Sequence, residues 1–205
     1  MREYVWLFPL IFIFHDMEEI VGFGWWLEKN GKMLADKYPS VLKTYTNFST
    51  AGFAFAVYEE LVLCLAVCVA AVLTNSMLLW GIWLGGLVGC TLHFVIHIGQ
   101  SIVVRQYIPA VATSVLCLPA SVWLIYRSIP EILYKISIKM SHMSGMVSGR
   151  FVMGKSVSAD KVILGVLVVV GVVIVAVNVK LAQRMIGWFT DFTEKSIRNY
   201  KDMKK

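Results

Sequence analysis

The chain reads as an all-α integral membrane protein: a polytopic bundle of about five transmembrane helices, N-terminus outside and C-terminus in the cytoplasm. Composition is the first reason. Of 205 residues, 58% are hydrophobic and 16% are charged, and the mean hydropathy is +0.71, well beyond the roughly 45–50% apolar content of a soluble domain. The second reason is that the apolar residues are gathered into runs that match a bilayer core, which takes about 20 helical residues to cross. The third is the distribution of basic residues among the loops.

The first run, at roughly 3–28, contains "FHDMEEIVG", with His15, Asp16, Glu18 and Glu19. An acidic centre is the opposite of the smooth apolar core of a cleaved signal, and no small-residue cleavage site follows, so a true span is expected. Trp6, Trp25 and Trp26 near its ends suit an interfacial belt. A second run, 51–73, carries Glu59 and Glu60. "TNSM" then leads to the third, 77–104, with His93 and His97, and "RQYIP" leads to the fourth, 109–128, which Pro109 is placed to start. These four form a compact module over residues 1–128. Residues 129–160 include "KMSHMSGMVSGRFVMGKS" and show no sustained period, so a linker or lid is expected there, with His142 in a surface setting. The third part, 161–205, holds a fifth span, "VILGVLVVVGVVIVAVNV" at 162–179, and a basic tail that can be drawn as an amphipathic helix on the inner surface. Support or anchoring is expected of it.

Basic residues gather on the cytoplasmic side of membrane proteins. Five spans put Arg2, Arg127, Lys135, Lys139, Arg150, Lys155 and Lys161 on one side. The other side receives Lys29, Lys32, Lys37, Lys43, Arg105 and the basic residues from Lys180 to Lys205. The richer side takes the C-terminus. The net charge of +6 is spread over loops and tail, which fits lipid headgroups and offers no patterned basic and aromatic surface for nucleic acid. Cys64, Cys68, Cys90 and Cys117 all lie in expected spans, without zinc-ribbon spacing, and are taken as packing residues.

Depth brings the polar residues together. At about 1.5 Å of rise per residue, Glu18 lies roughly 15 Å from the inner end of the first helix, Glu59 roughly 12 Å, and His93 and His97 about 16 and 10 Å. Three antiparallel helices thus present their unusual residues at one level. His15, Glu18 and Glu19 stand at i, i+3 and i+4 on one side of their helix. On the third helix Gly81, Gly85, Gly89, His93 and His97 form an i+4 row, a small-residue row of the kind that lets membrane helices approach closely.

"HDMEE", followed by "YEEL", "LHFVIH" and "YIP", resembles the bacterial HXXEE-motif membrane protein family over roughly residues 5–126. The resemblance implies an integral membrane protein and importance for His15, Glu18 and Glu19. It supplies no reaction.

An ionised side chain at the bilayer centre costs roughly 2.5–3.5 kcal/mol on insertion scales, so several such groups must gain partners on folding. A divalent metal is the economical partner. Histidine nitrogen with glutamate oxygen suits zinc, iron or manganese, and four-helix bundles build dinuclear carboxylate sites from inward-facing Glu and Glu-x-x-His pairs. The expected ligands are His15, Glu18, Glu59, His93 and His97; His93 and His97 repeat the spacing of H-E-x-x-H helices without the intervening glutamate. That missing base is expected from Glu19, Glu59 or Glu60, and Glu19 and Glu60 are the candidate catalytic pair. Which of Glu59 and Glu60 faces the site stays open, because adjacent residues splay by about 100°. Haem is not expected, since two histidines on one face of one helix cannot take its two opposite faces.

Three functions fit. The first is a metal-dependent hydrolase of the bacterial plasma membrane, acting on a lipid or membrane-bound peptide that enters from the cytoplasmic leaflet, past the lysines of "EKNGKMLADKYPSVLKTYTN". The second is a glutamate-type intramembrane peptidase resembling the CAAX-protease and bacteriocin-processing family, from which "YEELVLC" departs by lacking the arginine after the Glu-Glu pair. The third is a proton- or cation-coupled carrier, which lacks support from any visible inverted repeat.

Overall fold

The structure is a computed structural model and describes residues 2–45, 48–148 and 157–203; for some helical residues, among them 139–148 and 196–203, only the backbone is described. The fold is all-α, with no strand among the described residues. α1 spans Leu7–Lys37, α2 Pro39–Thr44, α3 Thr50–Thr74, α4 Met77–Val104, α5 Val111–Ser148 and α6 Val157–Met203. Among the described residues, three segments are long and apolar enough to cross a membrane: α3, α4 and Val111–Ile138 of α5. α6 contributes a shorter apolar stretch, Val162–Ile174. α1 falls outside that set because His15, Asp16, Glu18 and Glu19 interrupt its apolar run, although it packs as a full member of the bundle.

Helix ends follow from local chemistry. α3 starts at Ser49, whose hydroxyl accepts the Gly52 N–H at 3.1 Å, and stops at Asn75, which takes a left-handed conformation (φ 50°) as Asn does more readily than most residues. The Asn75 side chain then accepts from Trp80 Nε1 at 3.1 Å and from Lys135 Nζ at 2.6 Å, tying the α3–α4 turn to α5. At the other end of α4, Arg105 is also left-handed (φ 56°), and Ala110 has φ 90°.

Several elements differ from the sequence expectation. α5 begins at Val111, and Pro109 instead packs on Gly22 of α1. The helix then continues through Pro130 to Ser148, over part of the expected linker. A proline costs a helix one hydrogen bond and crowds the preceding turn, which bends a long helix without always ending it. Residues 149–156 and the side chain of His142 lie outside the described residues. α6 is one helix into the expected tail, and its 186–190 region packs on α3: Phe55 and Phe189 stack at 5.2 Å between ring centroids, and the Ser49 and Thr190 hydroxyls meet at 2.8 Å. Trp26, read as a belt residue, is buried and donates to the Tyr107 carbonyl at 2.8 Å.

Two apolar clusters bracket the middle of α1. Val5 and Phe8 belong to one, with Cys68, Trp80, Trp83, Leu84, Leu87, Leu124 and neighbours. Trp26 and Leu34 belong to the other, with Ile108. Between them along α1 lie His15, Asp16, Glu18 and Glu19.

Candidate metal centre

His15, Asp16, Glu18 and Glu19 fan out around α1 because each helical residue turns about 100°. Relative to His15, Glu18 stands about 60° to one side, Glu19 about 40° to the other and Asp16 about 100° round. These directions meet three neighbouring helices.

His15 and Glu19 face α4. Together with His93 and His97 they form a group in which one donor atom from each residue lies within 4.8 Å of all the others. His97 Nε2 is 2.8 Å from Glu19 Oε1 and 2.8 Å from His93 Nε2. Ring centroids are 5.3 Å apart for His15–His93, 5.2 Å for His15–His97 and 4.2 Å for His93–His97. Imidazoles sharing a tetrahedral metal, with bonds of about 2.0–2.1 Å, hold their centroids about 5 Å apart and their donor atoms about 3.3 Å apart.

Hydrogen bonding within the group is incomplete. One ring nitrogen offers a lone pair or an N–H, never both, yet His97 Nε2 has two partners at equal distance. His15 Nε2 is buried with no partner, and so is Nδ1 on the far side of the His97 ring. A buried nitrogen without a partner is costly, and a cation between these atoms would take the lone pair of each. The donor set of imidazole and carboxylate fits zinc or iron. Among the described residues, this is the one such group.

Glu18 faces α5. Its Oε2 accepts from the Thr113 amide at 2.7 Å and the Thr113 hydroxyl at 2.6 Å. Its Oε1 accepts from the Ala112 amide at 3.4 Å and from the Tyr107 hydroxyl. It therefore caps the N-terminus of α5, where first-turn amides lack helical partners and the helix dipole favours an anion. The sequence reading set Glu18 as a ligand and Glu19 as a base; the geometry puts Glu19 among the histidines and Glu18 on α5. Spacing could not separate them, since both flank His15 by similar angles.

Glu59 and Glu60 come from α3. Glu60 lies close enough to Glu19 and Asp16 for their charges to act on one another. Glu59 is half-buried, its Oε2 enclosed without a hydrogen-bond partner, and it is not in the group of four. Tyr45, before α3, packs on Phe23 and Phe48; burial first, and then the Glu19 charge, raise its phenol above the ordinary tyrosine value. Thr113, Tyr107 and Tyr45 carried no site signal in the sequence beyond the position of Tyr107 in "YIP" and of Tyr45 in the loop.

His93 is the exposed member of the four, the other three being buried. Leu92, Val95 and Ile96 around it are 53%, 50% and 55% exposed. The group therefore opens sideways through an apolar part of the bundle wall. The four cysteines are free, with Cys68 and Cys117 buried in packing positions.

No curated protein and no solved structure matches the chain. A family model described as a protein of unknown function with HXXEE motif matches residues 6–124, which include all of the residues above. With more than half of its length so matched, and with His15, Glu18 and Glu19 supplying the motif, the chain belongs to the HXXEE-motif family.

Proposed function

We propose that this protein is a membrane-embedded, metal-dependent hydrolase of the bacterial plasma membrane, acting on a lipid or a membrane-bound peptide. The observation that carries the reading is the convergence of His15, Glu19, His93 and His97 around a buried nitrogen that has no hydrogen-bond partner. The three histidines and Glu19 would hold a zinc or iron ion, and such an ion, with a water as a further ligand, would supply a nucleophile near neutral pH. Glu60, beside Glu19 but outside the group of four, handles the proton, with Asp16 adjacent.

The exposed edge at His93, among Leu92, Val95 and Ile96, supports a substrate that arrives laterally from lipid. We place α1, α3, α4, α5 and α6 as five spans with the C-terminus in the cytoplasm, following the basic loops. The lysines of α1 and α2 then stand at the cytoplasmic mouth, and an anionic headgroup with an apolar tail fits lysines above and a cation below. Residues 1–128 contain every group given a role.

The test has two stages. Elemental analysis of detergent-purified protein should find near-stoichiometric zinc or iron, lost in His15→Ala and His97→Ala. Mass spectrometry of co-purifying lipids and peptides should then find one species enriched with Glu60→Gln relative to wild type. Protein that stays metal-free after zinc and iron are offered would remove the basis of the reading and favour a proton- or cation-coupled carrier.

A further inference from the structure

We infer that Thr113 is a positioning residue that couples the first glutamate of the HXXEE motif to its histidine, fixing His15 in the tautomer that presents a bare Nε2 to the metal. The inference rests on the metal reading above, but its central element concerns the protein without metal.

The Thr113 hydroxyl lies 2.6 Å from Glu18 Oε2 and 3.2 Å from His15 Nδ1. The Ala110 and His15 carbonyls are farther, at 3.3 and 3.5 Å. A hydroxyl has one proton to give and lone pairs to receive with, whereas a carboxylate can only receive. The shortest contact, and the charged acceptor, take the proton, so Thr113 donates to Glu18. Its lone pairs then face His15 Nδ1, and the only complementary partner there is Nδ1–H. A neutral imidazole carries one N–H. With that proton on Nδ1, Nε2 is a lone pair, and Nε2 is the buried atom left without a hydrogen bond.

The opposite tautomer loses on each count. Nε2–H would be buried with no acceptor, and Thr113 would have to turn its proton from the carboxylate to Nδ1. Glu18 is itself held by Tyr107 and by the Ala112 and Thr113 amides, so the chain of donors has a fixed end. Metal-binding histidines usually give their second N–H to a carboxylate or carbonyl, which sets ring orientation and raises ligand basicity. Here a threonine hydroxyl stands between the two. The motif divides accordingly: its second glutamate sits in the metal group, and its first acts on the histidine through α5.

Nitrogen-15 NMR of histidine-labelled full-length protein, freed of metal and held in detergent, reads the tautomer directly, with His15 assigned by its loss in His15→Asn. The expected result is Nδ1–H at His15 in wild type and in Thr113→Ser, and a mixture of tautomers in Thr113→Val. Titrated with cobalt(II), Thr113→Ser should bind as wild type and Thr113→Val about 10–100-fold more weakly, the usual cost of losing such a partner. Nε2–H at His15 in wild type would overturn the inference, as would Thr113→Val matching wild type in tautomer and cobalt affinity. The wild-type spectrum decides the tautomer even if Thr113→Val fails to fold. Nδ1–H at His15 in a wild-type protein that binds neither cobalt nor zinc would instead sink the metal reading and leave the tautomer lock standing.

Discussion

One row of α4 residues, spaced by four, does two different jobs. Near the start of the helix, Gly81 and Gly85 face α6: a Cβ at Gly85 would come within 2.5 Å of the Gly171 Cα and 2.8 Å of the Val168 carbonyl oxygen. Farther on, His93 and His97 face His15 and Glu19 of α1 in the candidate metal group. An i+4 step advances the helix by about 400°, so the row drifts about 40° per step and about 120° between Gly85 and His97. Read as a single contact face, it would have put the histidines against the same neighbour as the glycines. The structure separates them, because the drift carries the row from one partner helix to another. Spacing also differs between the two ends: the glycines let backbones approach closely, whereas α1 meets α4 through side chains such as Phe8 on Trp83 and Glu19 on His97. Close approach leaves no space for chemistry, and the wider gap houses three imidazoles and a carboxylate.

The comparison breaks most sharply at its polar end. His97→Ala should weaken zinc or cobalt binding by more than the 10–100-fold typical of outer-sphere partners, with helix content unchanged by circular dichroism. At the glycine end, Gly85→Ala should destabilise the bundle by about 1–3 kcal/mol, the usual cost of overpacking, since the added methyl meets backbone that cannot rotate away. Denaturant unfolding in detergent measures this, and the folded fraction should still bind metal. An equal loss of metal in both variants would show that the two ends are not independent.

A smaller effect is expected where α6 meets α3. Ser49 caps α3 and contacts Thr190, so Ser49→Ala should cost about 1 kcal/mol and leave metal binding intact. The smallest change concerns Tyr107, whose phenol is pushed up to about 12, by partial burial first and then by its hydrogen bond to Glu18. Because the folded value lies above the ordinary 10, its contribution to stability is whole below pH 10 and is lost as pH rises through 12. An ultraviolet titration should show a late-ionising component, beyond that of Tyr45, that is missing from Tyr107→Phe; a late component of equal size in wild type and Tyr107→Phe would argue against the Tyr107–Glu18 bond.

Much of the fold was legible because long apolar runs have few alternatives. The boundaries of α3 and α4 follow from Ser49, Asn75 and the apolar runs to within a residue or so. The start of α5 and the reach of α6 were not legible. Pro109 is compatible with a helix start, yet it is held against Gly22, and the more polar region after residue 179 continues as helix and packs on α3 near Gly52. Amphipathic segments suit a membrane surface or another helix equally well, and only the neighbour decides.

By itself the sequence determined the all-α class, the membrane-crossing character of its apolar helices, and the coincidence of His15, the paired glutamates, His93 and His97 at one depth. These rest on composition and on the fixed rise of a helix. The tertiary structure alone decided the division of labour within the motif. Glu18 and Glu19 flank His15 by angles of about 60° and 40°, so nothing in their spacing tells which will join the histidines and which a helix end. That assignment depends on where α4 and α5 stand around α1, and their placement is set by a glycine seam, a buried proline and a helix N-terminus elsewhere in the chain.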